Sequence, residues 1–241
     1  MMRSVFGFLV LVLLLTSCKE TTTSNFTVNG SIDGLRKGTL YLQHLQDTVL
    51  VNLDSLVVDG DSEFELDANI QEPEVLLLYL DKLDNNSFND RVSFFAEPES
   101  QVTITTRLKN FELEAKVTGS INQKKLDEFF NYNDKFNSQN LNYIKEFYDA
   151  QKDNDNDRIR AYQDSLDNLL QRKYRFAGQF VVTNSELEVA PYIIITQIPD
   201  AKISFLEELY SKLDAQVQES KYSLELKELI AKRKEETALL E

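Results

Sequence analysis

The sequence predicts an α+β protein: an antiparallel β-sandwich or barrel over residues 26–119, then an all-helical region over residues 120–241. Three observations carry this. Apolar residues from Phe26 to Val117 recur with period two, in eight or nine short runs separated mostly by turn residues, the spacing of strands in a sandwich or barrel. Past Gly119 the period lengthens to about 3.6, that of an amphipathic helix. The composition, 42% hydrophobic and 27% charged over 241 residues, is that of a packed globular chain.

Phe26, Val28 and Ile32 alternate with polar residues in the first run; Gly38 to Gln43 forms the second and Asp47 to Val51 the third. Leu56-Val57-Val58 leads into Asp59-Gly60, a turn signal because glycine reaches φ > 0 without a steric cost. Phe64, Leu66 and Ala68 alternate beyond that turn, and Phe64 is expected in the core. Val75 to Leu80 is continuously apolar, as a strand covered on both faces would be. Val92 to Ala96, Val102 to Thr106 and Phe111-Leu113-Ala115-Val117 complete the set. In the helical half, Leu126, Phe129, Phe130, Phe136, Leu141, Ile144 and Phe147 make one stripe, and Ile159, Tyr162, Leu166, Leu169, Leu170 and Tyr174 a second. Asn184-Ser185 reads as the N-cap of a short helix through Val189 to Ile195. Ser204-Phe205-Leu206-Glu207 fits a capping box, in which serine and glutamate satisfy two orphan amides. Leu206 to Val217 carries that helix, and Leu224, Leu226, Leu229 and Ile230 carry the last one.

The N-terminus reads differently. One basic residue, Arg3, precedes an eleven-residue apolar run, Val5 to Leu15. Eleven residues of helix span about 16 Å, half of a ~30 Å hydrocarbon core, so residues 1–17 read as a secretory signal rather than a membrane span. Leu15-Thr16-Ser17-Cys18 resembles the lipobox of bacterial lipoproteins. That resemblance implies acylation of the Cys18 thiol, cleavage after Ser17, and a membrane attachment made by acyl chains, two or more of which anchor stably. Residues 18–25 then form a lipidated polar tether. Lys19 and Glu20 follow the cysteine, without the aspartate associated with inner-membrane retention, so the expected location is the outer membrane, on its periplasmic or its surface-exposed face.

Charge and residue counts exclude several classes. With 26 basic and 40 acidic residues the net charge is −14, and removal of the leader with Arg3 leaves 25 against 40, or −15. Such a chain repels phosphate backbones and anionic lipid, so no nucleic-acid partner is expected and a membrane contact cannot be electrostatic. One cysteine and one histidine cannot supply a disulfide, a CxxC pair or a zinc site.

Further along, Asp54-Ser55-Leu56-Val57-Val58-Asp59-Gly60 with Phe64, then Phe94-Phe95-Ala96-Glu97-Pro98, then Val117-Thr118-Gly119-Ser120 with Asn122, resemble the core, "f.lEpG" and closing elements of a domain of unknown function. That domain forms the N-terminal part of many TlpA-like thiol–disulfide oxidoreductase lipoproteins. Glu99-Ser100 stands where the family has glycine. The helical region through Ser220-Lys221-Tyr222 is similar to the linker before their thioredoxin domain. The sequence ends at Glu241, where that domain and its CxxC should begin; the expectation is that the family's redox activity does not carry over, nor any catalytic residue.

Chemistry inside the chain is sparse. Asp153-Asn154-Asp155-Asn156-Asp157 opens like a calcium loop, but Arg158 holds the position that needs glycine and Asp164 the one that needs glutamate, so the run reads as a solvated helix–helix connection. His44 has no histidine or cysteine partner and reads as structural. No catalytic, cofactor or metal residue is assigned; Cys18, for lipidation, is the single assigned site. The expected function is a non-enzymatic binding or scaffolding role at the outer membrane, with a protein partner as well as the lipid. The alternative is an accessory or docking subunit of a redox or transport system whose catalytic domain lies on another chain.

Overall fold

The computed structural model describes residues 24–46, 48–82 and 90–239; Cys18, the expected leader and most of the expected tether lie outside the described residues. Eight strands come first: β1 (Phe26–Asp33), β2 (Lys37–Gln46), β3 (Val49–Asp59), β4 (Glu63–Ala68), β5 (Glu74–Asp81), β6 (Arg91–Ala96), β7 (Ser100–Arg107) and β8 (Lys116–Thr118). Five helices follow: α1 (Ile121–Lys152), α2 (Asn156–Thr183), α3 (Val189–Gln197), α4 (Ile203–Lys212) and α5 (Lys221–Ala238). The class is mixed α+β, strands before helices.

The strands form two four-stranded sheets, ordered β4-β1-β7-β8 and β3-β2-β5-β6. They are not closed into a barrel, and they are not wholly antiparallel. β1 and β7 run parallel, from Phe26 beside Ser100 to Asp33 beside Arg107. Alternation reports which face of a strand is buried and is silent on its direction; the direction follows from β7 returning to lie beside β1 after the second sheet is complete. Phe26, Leu40, Leu42, Leu76 and Phe94 are buried between the sheets, and Phe26 stacks on Phe94 at 6.3 Å between centroids.

The turn at Gly60 is as the residues predict, with φ +96° and Phe64 buried. It carries the chain from one sheet to the other rather than closing a hairpin, since β3 pairs with β2 and β4 with β1. Asp54 then links the two edge strands: its carboxylate accepts from the N–H of Ser55 (2.8 Å) and from that of Asp67 on β4 (3.0 Å).

Three sequence readings need correction. Residues 49–51 of the third run and the run at 56–58 belong to one long strand, β3. Phe111 to Val117 is a strand only at Lys116–Thr118. Residues 108–110 form a 3₁₀ turn, Phe111 plugs the core, and Leu113 is exposed, because Thr106 Oγ1 donates to the Phe111 carbonyl (2.7 Å) and Ala115 N to that of Glu112 (3.3 Å), which coils this segment. Helix caps also differ. Asn184 ends α2 instead of starting α3, donating from Nδ2 to the Phe180 carbonyl (2.8 Å), and Ser204 lies inside α4, which begins at Ile203.

Glu99 stands at a position that favours glycine. Its φ is +58°, a conformation costing an L-residue roughly 1–2 kcal/mol, while its N–H donates to the Asn25 carbonyl (2.7 Å). Glycine would relieve that strain at the expense of some unfolded-state entropy. Glu99→Gly is therefore expected to stabilise by about 0.5–1 kcal/mol. Urea midpoints check it; a lower midpoint for the variant would refute the strain argument.

Candidate functional site

The helices pack on the outer face of the second sheet, and one residue pair sets this up. Phe94 and Phe95 are adjacent on β6 and point to opposite faces. Phe94 fills the sandwich, whereas Phe95, equally buried, belongs to the helical core with Phe129, Ile193, Ile194 and Leu226. Phe95 meets Tyr192 of α3 edge-on at 5.2 Å and Tyr222 of α5 at 5.9 Å. Val75 on β5 packs beside it, so the helices cover the start of the apolar run of β5, while Leu77 and Tyr79 on the same face are half-buried.

A buried polar network surrounds this contact. Glu97 Oε1 accepts from Ser120 Oγ, from Asn122 N and from Asn122 Nδ2, each at 2.9 Å. Asn122 Oδ1 accepts from Val189 N (2.8 Å) and so caps α3, which has no capping side chain of its own. Ser120 Oγ accepts from Gln123 N (2.9 Å), capping α1, and Gln123 Oε1 accepts from Phe95 N (2.9 Å) on the outer edge of β6. Ser120-Ile121-Asn122-Gln123 has the S-x-x-Q form of a capping box, a local signal that the sequence carries at this joint. In the folded chain the glutamine serves the sheet instead of its own helix. Gly119 makes this approach possible: it has φ +110°, and a Cβ there would sit 2.1 Å from the Gln101 carbonyl oxygen.

A second clamp closes at the start of α5. Lys221 N donates to Glu72 Oε2 (2.7 Å), Lys221 Nζ to Glu74 Oε2 (2.8 Å), and Val75 N to the Tyr222 hydroxyl (2.7 Å). Burial pushes the Tyr222 phenol well above its ordinary range. His44, half-buried, places Nδ1 3.7 Å from Glu74 Oε2. Ser220-Lys221-Tyr222 thus returns the helices to the sheet rather than leading away from it.

The acidic run at 153–157 is consumed by the α1–α2 connection. Asp155 N donates to the Ala150 carbonyl and Asn154 N to that of Gln151, the Schellman pairing, with Asn154 at φ +55° in the left-handed position. Asp155 then caps α2, accepting from Asp157 N and Arg158 N, and Arg158 pairs with Asp153 and Glu146, each at 3.2 Å. Among the described residues, no group of three or more histidine, cysteine or acidic side chains could hold a metal ion.

Beside the junction, β6, β8 and α1 bound an open groove of about 720 Å³. Its polar lining includes Ser93, Lys116, Gln123 and Asp127, and Asp127 is held above its ordinary value by burial. Residues 26–126 match the family model described as Domain of unknown function (DUF4369). The chain carries a DUF4369 domain. The match runs from β1 into the second turn of α1 and takes in Asp54, Glu97, Gly119, Ser120 and Asn122. These residues within the matched range are joints: Asp54 ties the two sheets together, and the others meet where the sheet receives α1. No curated protein matches the chain.

Junction charge sets a pH dependence. Burial first, and then the neighbouring Glu97 and Glu72 carboxylates, raise the proton affinity of Glu188; burial does the same for Glu225 and Asp127. The folded state thus holds these protons more tightly than the unfolded chain. Their ionisation opposes folding, so stability is gained as pH falls toward the raised values and lost above them. Glu188→Gln is expected to raise the urea midpoint near neutral pH and to flatten its rise on mild acidification; a midpoint lowered at neutral pH would contradict this.

Proposed function

We propose that this is a lipid-anchored protein of the cell envelope, held at the outer membrane through acyl chains on Cys18, with a non-enzymatic binding or scaffolding role. The lipobox-like Leu15-Thr16-Ser17-Cys18 supports the anchor, and no helix among the described residues is long and apolar enough to cross a membrane.

The binding role rests on one observation, the arm built by α1 and α2. α1 has 32 residues, about 48 Å at 1.5 Å per residue. Its first turns are gripped by the sheet and α3, but no residue of 134–149 on α1 or 156–168 on α2 is fully buried. Leu141 and Tyr148 are exposed there, Leu141 at 67%, and Leu170 is exposed just beyond, after the buried Leu169, against the sequence expectation that both leucines lie in covered stripes. A stripe beyond the body has only the other helix to cover it, and one helix covers a narrow strip. An aliphatic and aromatic surface on a projecting arm suits a protein partner.

Crosslinking in intact cells from a photoreactive residue at position 141 tests the reading. The expected result is a discrete crosslinked species, lost when Leu170→Asp and Tyr148→Asp are added while the fold is retained. Absence of any species specific to the arm overturns the binding role. Cys18→Ser tests the anchor separately, and is expected to abolish acylation and leave precursor in the inner membrane. Palmitate labelling that persists in it overturns the anchor.

A further inference from the structure

The tip of the β2–β3 hairpin brings three exposed aliphatic side chains together at one end of the sandwich. Leu45 is 48% exposed, Val49 61% and Leu50 38%; Leu45 and Leu50 are cross-strand partners, and Val49 pairs with Gln46.

Strand register fixes which end of the sandwich this tip occupies. His44 pairs with Leu76 near the start of β5, and Glu74, the first residue of β5, pairs with Ala96, the last of β6. The chain then passes Glu97 to Glu99, whose N–H bonds the Asn25 carbonyl, while the Asn25 side chain exchanges two hydrogen bonds with the Ile70 backbone (2.8 and 2.9 Å). The hairpin tip, the loop before β5, the loop after β6 and Asn25 therefore share one end. α1 leaves from that same end toward the other. Its Gln123 meets Phe95, and its Phe130, two turns on, lines the groove with Val92 and Ser93.

The chain outside the described residues supplies the occupant. Asn25 lies seven residue steps beyond Cys18, a reach of at most about 25 Å. An anchor at Cys18 holds this end of the sandwich within that distance of the bilayer, where even a weak contact is populated because it is intramolecular. We infer that Leu45, Val49 and Leu50 rest in the lipid interface, so that the molecule stands on the hairpin tip with the α1–α2 arm directed away from the membrane. The contact is apolar: Glu72, Glu97 and Glu99 share this end and repel anionic lipid, so zwitterionic surfaces are preferred. The inference rests on the proposed acylation of Cys18.

The test uses the full acylated chain in phosphatidylcholine vesicles. Thr48→Cys carries an environment-sensitive dye, and Asp157→Cys, at the end of the arm, is the control. A nitroxide quencher placed shallowly in the lipid is expected to quench the dye at 48 at least three-fold more than at 157. Adding Leu45→Ser, Val49→Ser and Leu50→Ser is expected to bring position 48 down to the control while the protein still floats with the vesicles. Equal quenching at both positions in floated protein overturns the inference and leaves the anchor standing. Protein that fails to float, with a Cys18 thiol open to labelling, overturns the anchor and this inference together.

Discussion

Phe95→Ala is expected to destabilise the protein by about 3–5 kcal/mol, the range for removing a fully buried aromatic ring, and to do so mainly by loosening the helices. The ring is fully buried and is the sheet's contribution to the helical core; its edge-on partners Tyr192 and Tyr222 come from α3 and α5. Removing it leaves the strand pairing of β6 intact, and the Phe95 N–H still reaches Gln123. Hydrogen exchange should therefore accelerate in α3 and α5 before it does in β1 or β7. Phe94→Ala supplies the contrast, because its ring lies between the sheets and its loss should open the sandwich itself. A Phe95→Ala protein destabilised by less than about 1 kcal/mol, or one that loses both regions together, would contradict this division.

Gly119→Ala should be comparably severe although it adds a single methyl group. That carbon would lie 2.1 Å from the Gln101 carbonyl oxygen and 3.1 Å from the Val102 Cα, at φ +110°. Both neighbours are backbone of β7, whose pairing with β1 continues on the other side, so the strand cannot yield without disturbing the sheet. Strain at the dihedral contributes roughly 1–3 kcal/mol and displacement of packed backbone roughly as much again. The expected loss is about 2–6 kcal/mol, read from denaturant melts. Gly60→Val is the comparison: a Cβ at Gly60 meets nothing within 4 Å, so only the dihedral strain remains and the cost should be visibly smaller. Equal costs at the two glycines would show that the close approach at Gly119 is not what constrains it.

These two positions show what each level of description supplies. The sequence by itself determined the order and class of the halves, because burial alternates along a strand and recurs each helical turn whatever the topology. It marked Gly60, and Phe64 as core, because turn chemistry and alternation are local. It marked Glu97, Gly119, Ser120 and Asn122 as motif residues and read them as turns. That three donors converge on one Glu97 oxygen, and that Asn122 caps a helix 67 residues away, was decided by tertiary structure. A hydrogen bond between distant segments leaves no periodicity in either. The parallel pairing of β1 with β7 was decided the same way, since a strand's residues look alike in both directions. So was the exposure of Leu141 and Leu170: helical spacing names the residues that share a face, but only the packed structure determines whether anything covers it.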